Sequence, residues 1–208
     1  MTEYHEIGTP KSAPPIATDE GFLFWGVENE PGQWIGSVFE YVLRGDVDIL
    51  KRAINVGWDV ATASGLTLMH YAAAGNQLHA ITFLLGKMKR PHAPDVAGTG
   101  PLALACRFGH VEAANLLVSA GAVVAAVDKR GNTCLHETAL WGQRHVVQSL
   151  LEMITQERLA ALLGHVLWME NGMGFTCYDL AVREEHRETA DLILSFMQKT
   201  SHVTYAVN

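Results

Sequence analysis

Gly98-Thr99-Gly100-Pro101-Leu102-Ala103-Leu104-Ala105-Cys106, continued by Gly109-His110-Val111-Glu112 and closed by Gly121-Ala122, is the stretch that decides the fold. Its decisive property is that it recurs. Gly65-Leu66-Thr67-Leu68-Met69-His70-Tyr71-Ala72-Ala73 starts 33 residues earlier, and Gly131-Asn132-Thr133-Cys134-Leu135-His136-Glu137-Thr138-Ala139 starts 33 residues later. A further copy opens at Gly174, 43 residues after Gly131, so the preceding unit carries ten extra residues. Repetition at this period marks a repeat architecture, in which one unit cannot bury its apolar face alone and a stack of units can.

Each copy continues alike. A turn residue, Asn76, Gly109 or Gly142, follows the small-residue helix. Glycine takes the left-handed conformation freely, and asparagine more easily than most residues. A second helix then begins, over 78–85, 110–118, 144–151 and 187–194. Apolar residues there recur at three- and four-residue spacing, one buried stripe per helix. An earlier, degenerate copy has the turn and second helix in Gly45 to Ile54. Its first helix, Ser37 to Leu43, carries Phe39 and Tyr41 in place of small residues. That suits an end unit, which has no neighbour on one side to crowd it.

This pattern resembles the ankyrin repeat: a glycine, then T-P-L-H-x-A-A, a G-H turn, a second helix and a closing G-A. There are departures. In the third unit Gly100 stands at the threonine and Ala103 at the histidine. In the fifth, Glu185 stands at the turn glycine and Asp179 at the histidine. The second unit ends in Gly86-Lys87-Met88-Lys89-Arg90-Pro91, which predicts an irregular connection. The resemblance implies an all-α repeat solenoid over 34–199, of about five repeats near 34–63, 64–96, 97–129, 130–172 and 173–199. Residues 1–33 form an N-terminal extension and 200–208 a C-terminal tail. The implied architecture is stacked helix pairs joined by β-turn fingers.

The extension holds four of the seven prolines, and 11–15 is expected to be an extended linker. Phe22, Phe24 and Trp25 are expected to fold back over the first unit, with a peptide motif for a partner as the rival reading. Within the ten-residue insertion, a short helix is expected to run through Leu163 and end at Gly164. His165 to Met169 would return as the next finger.

Composition narrows the function. Of 208 residues, 49% are hydrophobic and 18% charged, enough for one domain with a sizeable core. A net charge of -7 repels a phosphate backbone, so nucleic acid is not the expected partner. The three cysteines form no C-x-x-C pair, which argues against a disulfide framework or a structural zinc. Free thiols suggest a reducing compartment. No signal peptide and no run of the ~18–20 apolar residues needed to span a bilayer is evident. The expected place is intracellular, cytoplasmic or nuclear, without membrane insertion.

No zinc-hydrolase, nucleophile-elbow or phosphate-loop motif occurs among the ten histidines and glycine-rich turns. His70 and His136 occupy the position where the family histidine bonds within the turn. His110 and His186 follow the second turn, another structural position. Cys106 replaces a core alanine, whereas Cys134 and Cys177 are expected to be partly exposed. No catalytic, cofactor or metal residue is assigned.

The resemblance places a partner on the concave face, at the finger tips and the ends of the first helices. The residues assigned to it are Arg107, Phe108, Lys129, Arg130, Asn132, Leu140, Trp141, Phe175 and Arg183. Phe108 and Trp141 are bulky and predicted to face solvent. Lys129 and Arg130 beside Arg107 would form a small basic spot. Trp141→Ala and Arg107→Ala are each expected to weaken binding by ~1 kcal/mol or more without unfolding the chain. The expected function is therefore non-catalytic: an adaptor, scaffold or inhibitory regulator binding another protein. The alternatives are a self-associating structural subunit and a thiol- or histidine-based enzyme.

Overall fold

Each finger is closed by a glycine that no other residue replaces without strain. Gly65, Gly98, Gly131 and Gly174 have φ between +77° and +84°. A Cβ on Gly131 would also lie 2.6 Å from the Gly172 N of the next finger. These fingers connect helices in a computed structural model that describes residues 16–17, 23–24, 26–30, 33–45, 47–48, 58–59, 61–156 and 160–204.

Two short antiparallel hairpins precede the repeats: β1 (Ile16–Ala17) with β2 (Leu23–Phe24), and β3 (Gly26–Glu30) with β4 (Gln33–Ser37). Strand β4 runs directly into α1 (Val38–Arg44). Phe22, Trp25, the side chain of Phe24 and 11–15 lie outside the described residues, as do Asp46 and 49–57, where most of the first unit's second helix is expected.

The repeats are helix pairs: α2 (Leu68–Ala74) with α3 (Leu78–Leu85), α4 (Pro101–Arg107) with α5 (Val111–Ser119), and α6 (Cys134–Leu140) with α7 (Arg144–Gln156). After α8 (Ala160–Trp168) come α9 (Cys177–Arg183) and α10 (Arg187–Thr204). The first helices α1, α2, α4, α6 and α9 stack side by side as one layer. Helices α3, α5, α7 and α10 form the layer behind. Alanines 72, 73, 105, 139 and 181 are fully buried where the first helices meet, so their backbones approach closely. Leu84, Leu117, Leu150 and Ile193 fill the second layer. Each such side chain contributes about 1.5–3 kcal/mol relative to exposure.

Neighbouring units are also joined by side chains that reach backbone. Gln77 Nε2 donates to Leu43 O (2.9 Å), and His110 Nε2 to Ala74 O (2.9 Å). Gln143 Nε2 donates to Arg107 O (3.0 Å), and His186 Nε2 to Leu140 O (3.2 Å). Each bond takes up a carbonyl at the end of the preceding unit's first helix, where no intrahelical partner exists. The fingers form a ladder of their own: Val96 N to Ser64 O, Lys129 N to Ala97 O and Gly172 N to Arg130 O, at 2.8–2.9 Å.

Two expectations need correction. Gly164 does not end the insertion's helix: α8 continues through it to Trp168, and the next finger starts only after that. Val166 and Leu167 are buried, and α8 packs on α7 and α10, so tertiary burial carries the helix past its glycine. Cys134 and Cys177 are not partly exposed. Each opens a first helix facing inward, with Cys134 Sγ 3.3 Å from Val124 O and Cys177 Sγ 3.8 Å from Leu167 O. The irregular connection after the second unit is present: Met88 tucks inward and Lys89 N donates to Asp59 Oδ1 at 3.1 Å.

Candidate functional site

The first helices of the repeats end in an aligned row: Gly75, Phe108, Trp141 and Glu184. Two members of that row are large apolar side chains in water, Phe108 at 53% and Trp141 at 55% exposure. They stand at equivalent places in adjacent stacked units. The Phe108 ring lies 6.2 Å from the His110 ring, whose Nε2 is fixed on Ala74 O, so this aromatic stands on an ordered support. Leu140, beside Trp141, is half-buried.

The charged residues around them are arranged differently from the expected basic spot. Arg107 Nε lies 2.9 Å from Glu137 Oε2, and Arg130 Nη2 lies 3.1 Å from Glu137 Oε1. Arg130 Nε also meets Asp128 Oδ2 at 3.2 Å. Glu137 is only 2% exposed. One buried carboxylate thus clamps two guanidinium groups from successive segments, and both arginines have lost much of the free charge expected of them. Arg107→Ala consequently does not separate binding from stability, because it strips a partner from a buried anion. Lys129 is exposed, and its backbone N–H belongs to the finger ladder.

Asn132 also departs from the expected placement. It is buried, and its Oδ1 accepts from Asn171 Nδ2 at 2.9 Å. Asparagine at a finger completes the ladder to the next finger, which turns its amide away from solvent. Phe175 is half-buried beneath Arg183, whose guanidinium lies 5.2 Å from the ring centroid. Arg183 also pairs with Glu184 at 2.8 Å. The nine assigned residues therefore divide. Phe108, Trp141, Lys129 and Arg183 are exposed; Arg107, Leu140 and Phe175 are partly so; Arg130 is exposed but tied down; Asn132 faces inward.

His70 and His136 are structural. His70 Nδ1 accepts from Thr67 N–H (3.0 Å), and its Nε2–H donates to Thr99 O (2.9 Å). His136 repeats this with Thr133 N–H (3.1 Å) and Phe175 O (3.1 Å). Both rings must be neutral to accept at Nδ1 and donate at Nε2. Burial lowers the pKa of each below the ordinary value. Burial also raises the Cys106 thiol well above its usual range and pushes Cys177 up to about 12. Such thiols are poor nucleophiles. Among the described residues, no group of three or more His, Cys, Asp and Glu is placed to hold a metal ion, and no helix is long and apolar enough to cross a membrane.

Stacked helix pairs, left-handed finger glycines and interlocked fingers define a class of repeat protein, and comparison with known families agrees. The family model for ankyrin repeats matches residues 39–128 and 90–159, together more than half of the chain. The chain belongs to the ankyrin-repeat family, whose arrays serve as protein–protein interaction modules. Over 131 residues it is 27% identical to the putative E3 ubiquitin-protein ligase XBAT31 of Arabidopsis thaliana, covering 62% of this chain and 29% of that protein. Over 105 residues it is 34% identical to SH3 and multiple ankyrin repeat domains protein 2 of Homo sapiens, covering 49% of this chain and 6% of that protein. The chain thus spans less than a third of either relative's length.

The sequence reading missed Glu137. Its only signal was an acidic residue following the family histidine, and nothing in the order of residues says that Arg107 and Arg130 converge on it.

Proposed function

We propose that this chain is a non-catalytic adaptor, scaffold or inhibitory regulator that docks another protein across the ends of its first helices, on the concave face. The observation that supports the reading is the Phe108–Trp141 pair, two exposed aromatics at equivalent positions in adjacent stacked units. Aromatic residues of this kind dominate binding energy when a partner covers them. The stack is built before the partner arrives, so little ordering entropy is lost on binding. The net charge of -7 favours a protein partner over nucleic acid.

The test is affinity capture with the wild-type chain and with Phe108→Ala/Trp141→Ala, chosen in place of Arg107→Ala because neither aromatic supports a buried charge. A partner held by the first and lost by the second, at unchanged melting temperature, is the expected result. Equal recovery by both would move docking away from this face.

A further inference from the structure

Two departures in the third unit fall at one place in space. The second and fourth units carry Thr67 with His70 and Thr133 with His136; the third carries Gly100 and Ala103. In both complete units the imidazole bridges two backbone groups: the N–H ahead of the first helix and the carbonyl of the next finger. Ala103 offers no ring. The Gly100 N–H accordingly has no acceptor among the described residues. Asn132 O keeps one bond, from Asp128 N at 3.0 Å. Its counterparts Thr99 O and Phe175 O each have two.

The small residues leave a cleft of about 150 Å³ at this position, walled in part by Gly100, Ala103, Asn132, Asp128, Cys134 and His92. It opens to solvent: Gly100 and Ala103 are part-exposed, whereas His70 and His136 are buried at 1% and 0%. A further polar group in its wall is unused. His92 Nε2–H donates to Ala120 O at 3.0 Å, which leaves Nδ1 as an acceptor, and that atom is buried with no partner.

We infer that this cleft is a binding site for a neutral imidazole ring, held between the Gly100 N–H and the Asn132 carbonyl. The ring arrives either as a free azole or as the histidine side chain of a bound peptide. The site recreates, with a guest, the bridge that its neighbours build from their own histidines. It shares no residue with the Phe108–Trp141 pair, so failure of either idea leaves the other standing.

The test follows the amide resonances of Gly100, Ala103 and Asn132 near pH 8, where a free imidazole is largely neutral. Imidazole and acetyl-Gly-His-Gly-amide are titrated separately, and the tighter of the two identifies the source of the ring. Saturable shifts with at least one probe are expected. 1-Methylimidazole keeps the acceptor nitrogen but lacks the N–H, and is expected to bind about threefold or more weakly than imidazole. Gly100→Thr/Ala103→His, which supplies its own ring, is expected to abolish the shifts. Ala103→Leu fills the cleft without a ring and serves the same purpose should the double variant not fold. No saturation with either probe, shifts that persist in the folded filled variants, or equal binding of 1-methylimidazole would overturn the assignment.

Discussion

Arg107 Nε and Glu137 Oε2 lie 2.9 Å apart, joining the third unit to the fourth through a carboxylate that is 2% exposed. The pair matters through the cost of breaking it. Arg107→Ala leaves Arg130 as the remaining cation, so Glu137 loses one of its two partners. Loss of a hydrogen bond to a charged group costs about 1.5–3 kcal/mol. A urea titration of Arg107→Ala is expected to show a loss in that range. Glu137→Gln, which removes the buried charge but keeps an acceptor, is expected to lose less. Equal stability of Arg107→Ala and wild type would mean that the ion pair contributes nothing.

Glu185 holds φ +61° at the turn between α9 and α10, where the equivalent positions are Gly109 and Gly142. Its side chain stands exposed, so a glycine there removes about 1–2 kcal/mol of left-handed strain, offset by about 0.5–1 kcal/mol for glycine's greater freedom in the unfolded chain. Glu185→Gly is expected to stabilise the chain by about 0.5–1 kcal/mol and raise the melting temperature. Asn76→Gly, at φ +52°, is expected to gain less because asparagine tolerates this conformation. A fall in melting temperature for Glu185→Gly would contradict the strain argument.

His70 and His136 stay neutral in the folded chain below the ordinary value of 6.5, because burial opposes their charging. Unfolded histidines take up protons below that value. The unfolded state therefore binds more protons from about pH 6.5 down to the lowered folded values, and stability falls as pH drops through that window. The urea midpoint is expected to be flat above about pH 7 and to decline towards about pH 5.5. His136→Gln is expected to start lower and decline less steeply. An identical slope in wild type and variant would exclude His136 as a cause.

All three cysteines are buried, and the Cys177 thiol is pushed up to about 12. In the folded chain a thiol reagent can react only through opening of the stack. Labelling is expected to be slower than in urea by about a hundredfold or more, and to accelerate in step with any destabilising variant. Rapid modification of one cysteine in the native chain would revive the thiol-chemistry alternative.

Much of this architecture was legible in the residues. The 33-residue recurrence of Gly65, Gly98 and Gly131 reflects a backbone requirement, and backbone requirements leave the same mark in every copy. Phe108 and Trp141 could be placed in water because the repeat specifies which helix end they occupy. Glu137 and Asn132 were not legible in the same way. Both owe their burial to groups 30 and 39 residues distant, Arg107 and Asn171, whose approach depends on the stacking of whole units. Gly164 misled for a related reason. Local propensity favours a stop there, but Val166 and Leu167 bury against neighbouring helices and carry α8 onward.

The four bonds from Gln77, His110, Gln143 and His186 all end on a main-chain carbonyl. Such an acceptor is the same whatever side chain it belongs to: Leu43, Ala74, Arg107 and Leu140 serve equally. A joint that ignores the identity of its neighbour leaves that neighbour's side chain free to change, whereas the Arg107–Glu137 and Asn132–Asn171 contacts need matched residues in adjacent units. Glutamine and histidine alternate at this position along the chain, so the joint also tolerates two chemistries for its donor. At these four joints the residues supplying the carbonyl can diverge while the seam they hold stays intact.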